Sequence, residues 1–173
     1  VTIASGATTA SYTPSGTFNW AKCVPIITGI ISYMNDKSPN TACPRAEIND
    51  STGEVTVTGN AYSTGAQTLT VYIDLVEFTG SNWSVHKGSA VSTADTGTVT
   101  LGTPVTAWAK SWIIQQFSKV ADSVTEDDLF DVLATYTPGS ELDEVDWSFN
   151  VGHTGETGDT HMAYVVENPN FNV

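Results

Sequence analysis

Trp20-Ala21-Lys22 recurs as Trp108-Ala109-Lys110, eighty-eight positions further along the chain, and the flanking sequence recurs with it. Upstream of each triplet lies a stretch of small residues, Ala4-Ser5-Gly6-Ala7-Thr8-Thr9-Ala10 and then Gly88-Ser89-Ala90-Val91-Ser92-Thr93-Ala94. Downstream, each copy closes on an apolar run ending in Val-Glu: Ile73-Asp74-Leu75-Val76-Glu77-Phe78, then Met162-Ala163-Tyr164-Val165-Val166-Glu167. Landmarks kept in the same order at nearly the same separation read as a tandem duplication. The chain therefore divides into two copies, residues 1–80 and 81–173, with Gly80-Ser81-Asn82 as the linker. Each copy is small enough that one modest core must hold it, so the copies are expected to pack on neighbours.

The pattern within each copy is β. Leu69, Val71, Ile73 and Leu75 alternate with Thr70, Tyr72 and Asp74, and Val145, Trp147, Phe149 and Val151 alternate with Asp146, Ser148 and Asn150. That period of two marks strands with one buried face. Val55 and Val57, then Val99 and Leu101, are shorter examples. Val24 to Ile31 is almost continuously apolar, as in a strand covered on both faces, but Pro25 within it points to a strand start, an edge or a bulge. Gly, Ser, Asn and Asp punctuate these runs at short intervals. The expectation is an all-β chain of two tandem β-sandwich, jelly-roll-like modules with about six strands each. The single helical element expected is a short turn near 125–131, where Thr125 stands as a cap ahead of Glu126, Asp127 and Asp128.

Nineteen acidic residues against six basic ones give a net charge of −13. Such a surface repels phosphate, and no Lys/Arg cluster is present to seat a nucleic-acid backbone. No apolar run reaches the length of a membrane span. Residues 1–80 carry six carboxylates and three bases, and residues 81–173 carry thirteen and three, so the second copy is read as the more solvated.

Trp20, Trp108, Glu77 and Glu167 are selected by the repeat, and they are read as repeat-core anchors: the indoles pack the two cores and the strand-end carboxylates accept backbone N–H groups. Glu77 and Glu167 also raise a glycosidase-like pair, which needs two carboxyl groups within roughly 5–9.5 Å. Trp83 and Trp112 have no counterpart in the other copy and are the interface or ligand aromatics. His153 and His161, with Glu156 and Asp159 in the Gly-rich stretch between them, are candidate ligands for a divalent cation, although their spacing matches no zinc motif. No cofactor is implied. The acidic cluster Asp122, Glu126, Asp127, Asp128 and Asp131 lacks the central glycine and alternation of a calcium loop and reads as a solvated face. His86 has no evident partner. Cys23 and Cys43 are candidates for a disulfide if the strands that carry them pair; two buried thiols are the alternative, and both stay open. No nucleophile elbow, phosphate-binding loop or dinucleotide fingerprint is present, so an enzymatic reading has no residue to rest on.

The opening Val1-Thr2-Ile3-Ala4-Ser5-Gly6-Ala7-Thr8, the middle Arg45-Ala46-Glu47-Ile48 and the closing Val71-Tyr72-Ile73-Asp74-Leu75-Val76-Glu77-Phe78 resemble a duplicated β-repeat of tailed-bacteriophage virion structural proteins. The second copy departs from it, with Asn168 in place of the closing aromatic and the acidic insertion Asp122–Asp131. The resemblance implies a non-enzymatic virion component, on the outer capsid surface or an appendage: a capsid decoration (cement) protein, a head-fibre base or a tail part. It implies a homo-oligomer, with a trimer favoured, bound to the major capsid protein or other virion proteins and not to nucleic acid or membrane. The first copy would dock on the lattice, and the more acidic second would face solvent. The rival function is a carbohydrate- or receptor-binding module of a phage fibre or extracellular surface protein, in which Trp83, Trp112 or Tyr62 stacks on sugar rings.

Overall fold

The computed structural model describes residues 1–4, 6–32, 44–59, 68–118, 134–149 and 158–171. Strands dominate these residues, and the only helical elements among them are the 3-10 turns Trp20–Lys22 and Trp108–Lys110. The helical turn expected near 125–131 lies outside the described residues.

Two compact units divide the chain. The first holds Val1–Glu77 together with Ser118, and the second holds Phe78–Phe117 and the described residues from 134 onward. The junction thus falls between Glu77 and Phe78, three residues before the sequence placed it. Phe78 belongs to the second unit because its ring meets Trp83 at 5.3 Å, and Trp83 in turn meets Phe171 edge-on at 5.5 Å.

The first unit contains β1 (Thr2–Ile3), β2 (Thr9–Tyr12), β3 (Cys23–Ser32), β4 (Arg45–Ile48), β5 (Val55–Thr58) and β6 (Leu69–Glu77). They form two antiparallel sheets of three strands, in the orders β1-β6-β3 and β2-β5-β4. The second contains β7 (Ser84–Val91), β8 (Thr96–Thr100), β9 (Ser111–Ser118, all but its last residue), β10 (Ala134–Pro138), β11 (Glu144–Phe149) and β12 (Thr160–Glu167). Its sheets run β7-β12-β9 and β8-β11-β10. Counted from the first strand of its unit, each set of six has the same order: first, sixth and third in one sheet; second, fifth and fourth in the other.

The period-two rows become the inner faces. Val55 and Val57 on β5 are buried, as are Val145, Trp147 and Phe149 on β11. In the second unit Val99, Val145, Trp147 and Phe149 of one sheet and Ala163 and Val165 of the other belong to a single hydrophobic cluster. Burying a side chain of this size stabilises by roughly 1.5–3 kcal/mol, so this shared core is the main source of the unit's stability. Among the described strands β3 lies at the edge of its sheet, with a bulge between Ile27 and Gly29, and Pro25 stands in regular register opposite Leu75, as an edge strand tolerates. Its far end is not covered on both faces: Ile30 and Ile31 are exposed.

Candidate functional site

The two Trp-Ala-Lys triplets occupy equivalent places. Each forms a 3-10 turn that enters the third strand of its unit. Lys22 N–H donates to the Asn19 carbonyl at 2.8 Å, and Lys110 N–H donates to the Ala107 carbonyl at 3.0 Å. The next residue back-bonds to that same carbonyl, through Cys23 Sγ at 3.4 Å in one unit and Ser111 Oγ at 2.9 Å in the other. Both indoles lie on the turn between the fourth and fifth strands. Trp20 covers Gly53, where an added Cβ would fall 2.3 Å from the ring, and Trp108 Nε1 donates to the Glu141 carbonyl at 3.1 Å.

The Val-Glu ends complete this arrangement. Glu77 Oε1 accepts the Asn19 backbone N–H at 2.9 Å. Glu167 Oε1 accepts the backbone N–H groups of Thr106 at 2.9 Å and Ala107 at 3.1 Å, together with the Thr106 hydroxyl. Each carboxylate thus ties the end of its unit's last strand to the residue before the Trp-Ala-Lys turn. Glu167 is buried and has a second neighbour, His86 Nε2, 3.4 Å from Oε2. His86 Nδ1 sits 2.9 Å from the Thr103 hydroxyl, so the histidine without an evident partner in the sequence has two. Burial pushes the Glu167 carboxyl up, but the Thr106 hydroxyl and the two backbone N–H groups, with His86 alongside, outweigh it and hold the group below its ordinary value.

His161 lies inside the second core, fully buried. Its ring stacks on Trp147 with centroids 3.7 Å apart and planes 8° from parallel, and Phe117, Phe149 and Tyr136 close the remaining sides. Nδ1 is 2.7 Å from the Tyr136 hydroxyl, which itself reaches the Gln116 carbonyl at 3.5 Å. Donation from Nδ1–H to Tyr136 and from Tyr136 to Gln116 leaves the His161 Nε2 lone pair without a hydrogen-bond partner, like the Nε1 of the Trp147 ring stacked on it. Burial lowers the His161 pKa to about 4 and raises that of Tyr136, so the box is neutral at physiological pH.

Asp159 is also buried, and its carbonyl accepts the Ser92 N–H at 2.7 Å where β7 meets β12. Among the described residues no group of three His, Cys, Asp or Glu side chains is placed to hold a metal ion. His153 and Glu156, like Tyr62, Cys43 and the acidic residues Asp122–Asp131, lie outside the described residues. Cys23 is buried at the start of β3. The two unmatched tryptophans part company. Trp83 is held between Phe78 and Phe171, whereas Trp112 on β9 is 58% exposed.

Beyond these, a cavity of about 540 Å³ opens in the first unit, with Ala10, Tyr12 and Val55 from one sheet and Val71, Ile73 and Leu75 from the other on its wall. Sequence reading did not single it out, because each wall residue looks like ordinary core. No helix of the described residues is long and apolar enough to cross a membrane. Comparison with protein-family models, with curated proteins and with solved structures finds no match.

Proposed function

We propose that the chain is a non-enzymatic virion structural protein built from two β-sandwich modules related by internal duplication, and that it serves as an outer capsid decoration protein. The observation that carries this reading is the shared six-strand order, with the same Glu-to-backbone tie at the same point of each unit. A building block used twice, with its most distinctive side chains spent on its own integrity, suits a protein that covers and adheres. Among the described residues, candidates the sequence offered for chemistry are engaged internally: Glu77 and Glu167 hold backbone, and His161 is sealed among aromatic rings. The acidic exterior keeps such a protein soluble and away from a packaged genome.

In this reading the protein is a homo-oligomer, a trimer by preference, docked on the major capsid protein. Light scattering of the purified chain and co-sedimentation with empty capsids test it: oligomers that pellet with shells are expected, and monomers that never bind shells would overturn it. The second reading, a carbohydrate- or receptor-binding module, is favoured by one observation, the exposed Trp112 ring. An indole face open to solvent is the stacking surface a sugar needs. A glycan array with wild type and Trp112→Ala separates the two, since specific sugar binding lost in the variant supports the module.

A further inference from the structure

The two units carry different cores at the same place in the same strand order. Counted back from the closing glutamates, His161 on β12 occupies the position of Val71 on β6. The turns before the fifth strands fix the next equivalence: Asn49 N–H donates to the Glu54 carbonyl at 2.9 Å, and Gly139 N–H to the Glu144 carbonyl at 2.8 Å. Trp147 therefore stands where the first unit has Val57, and Tyr136, opposite it on β10, where the first unit has Ala46 on β4. Val71, Val57 and Ala46 are all fully buried, so aliphatic side chains suffice to close this position. The second unit instead places an imidazole, an indole and a phenol there and clears space for them. Gly97 lies opposite Trp147, where a Cβ would fall 2.5 Å from the indole, whereas the first unit has Ala10 opposite Val57. The aromatic box is thus an addition that the strand order does not require.

Its chemistry is one-sided. In the neutral ring Nδ1–H donates to Tyr136, and Nε2 has no hydrogen-bond partner among the described residues. A proton on Nε2 creates a second donor and a full charge at a site with no exposure to water. The indole face attracts a cation, but the other walls are Phe117 on β9, Phe149 on β11 and the Tyr136 ring, which supply no counter-charge. The ionisable groups on the packed elements are engaged elsewhere. On β7, His86 lies beside Glu167 and Lys87 over the Tyr164 ring. On β11, Asp146 accepts the Thr98 hydroxyl and Glu144 the Ser140 hydroxyl. Asp95, ahead of β8, is exposed and meets Phe149 through its carbonyl, and Asp159, two residues before His161, meets Ser92 through its own. Burial is accordingly what holds His161 at about 4.

We infer that the box is an acid-operated release built into the second unit. Protonation of His161 drives its ring out of the stack on Trp147, parts the β8-β11-β10 sheet from β12, and opens this unit while the first stays folded. The inference goes beyond the virion reading and does not depend on it, since it follows from the two cores.

The test is residue-resolved amide hydrogen exchange on the full chain at pH 7 and pH 4, expressed as protection relative to the unfolded chain. The middle strands compare like with like, β11 in the second unit and β5 in the first. With a folded-state pKa of about 4 against an ordinary 6.5, the Trp147 amide should lose protection on the order of a hundredfold and regain it on return to pH 7. The Val57 amide should lose less than about tenfold. His161→Gln takes no proton and keeps a neutral donor toward Tyr136, so its loss at β11 should be on the order of tenfold smaller than in wild type. Asp159→Asn should respond as wild type does; loss of the response there would assign the trigger to Asp159 and overturn the inference. So would parallel loss at β5 and β11, or an acid response unchanged in His161→Gln. If His161→Gln does not fold, His161→Phe takes its place, and if neither folds the wild-type comparison of β11 with β5 decides by itself.

Discussion

Glu167 Oε1 accepts the backbone N–H of Ala107 at 3.1 Å, fastening the end of β12 to the residue that precedes Trp108. The same tie, made by Glu77 to Asn19 at 2.9 Å, is a single bond at a half-buried site. The two differ in how much is left stranded if the carboxylate goes. Removing Glu167 leaves two backbone donors and the Thr106 hydroxyl without their acceptor, and takes away the carboxylate beside His86, in a buried site. Stranded buried donors cost about 1–3 kcal/mol each, with partial relief from water. Glu167→Ala is therefore expected to lower unfolding free energy by roughly 3 kcal/mol, and Glu77→Ala by about 1 kcal/mol. Urea denaturation of the two variants checks this, and equal losses would contradict it.

Acid should destabilise the second unit through two groups acting in the same direction. His161 has a folded-state pKa of about 4, below its ordinary 6.5, so the unfolded chain binds the extra proton. Its contribution is full above pH 6.5 and is lost as pH falls toward 4, with a slope approaching about 1.4 kcal/mol per pH unit for one proton. Glu167 is held below its ordinary value, so its contribution is present above about 4.5 and is lost as pH falls through the lower folded value. Denaturation midpoints measured from pH 7 to 4 should fall throughout. His161→Phe, which fills the aromatic box with no titrating group, should flatten the profile between pH 6.5 and 5. A variant with unchanged pH dependence would assign the effect to other groups.

What the sequence disclosed was local, and what it concealed was register. Period-two alternation located β6 and β11 because each has one apolar face, and the repeated triplet marked equivalent turns because the same backbone path needs the same residues. His86 and Glu167 are far apart in sequence, and only the pairing of β7 with β12 brings them to 3.4 Å. Strand pairing of that kind is not encoded in either strand alone. His161 entered the sequence reading as a candidate cation ligand flanking a Gly-rich stretch, yet it begins the inward row His161, Ala163, Val165 of β12. An imidazole breaks the apolar pattern that would have revealed it.

Trp112 offers a separation of surface from core. Its ring is 58% exposed, whereas Trp147 is 3% exposed and stacked on His161. Trp112→Ala should leave the thermal midpoint within about a degree or two of wild type, as surface changes usually stay within roughly 0.5 kcal/mol. Trp147→Ala should cost about 3–5 kcal/mol, because it opens a cavity in the centre of the second core. Differential scanning calorimetry distinguishes them, and a large loss for Trp112→Ala would show that this indole carries packing and not a surface role.

Gly53 and Gly80 both hold a positive φ, +73° and +98°, but only Gly53 has a neighbour in the way. A methyl group at Gly80 meets nothing within 4 Å, so Gly80→Ala carries backbone strain alone, on the order of 1 kcal/mol. At Gly53 the new Cβ would sit 2.3 Å from Trp20, and the indole must move off the turn that it covers. Overpacking adds about 1–3 kcal/mol to the strain, so Gly53→Ala should be the more damaging by that margin. Trp20→Ala in the same background removes the obstacle, and the double variant should then lose less than the sum of the two single changes. Stability measured for the four proteins of this cycle gives the coupling directly. Strict additivity would mean that Trp20 does not press on Gly53, and the role of the first Trp-Ala-Lys indole as an anchor on the turn between β4 and β5 would fall with it.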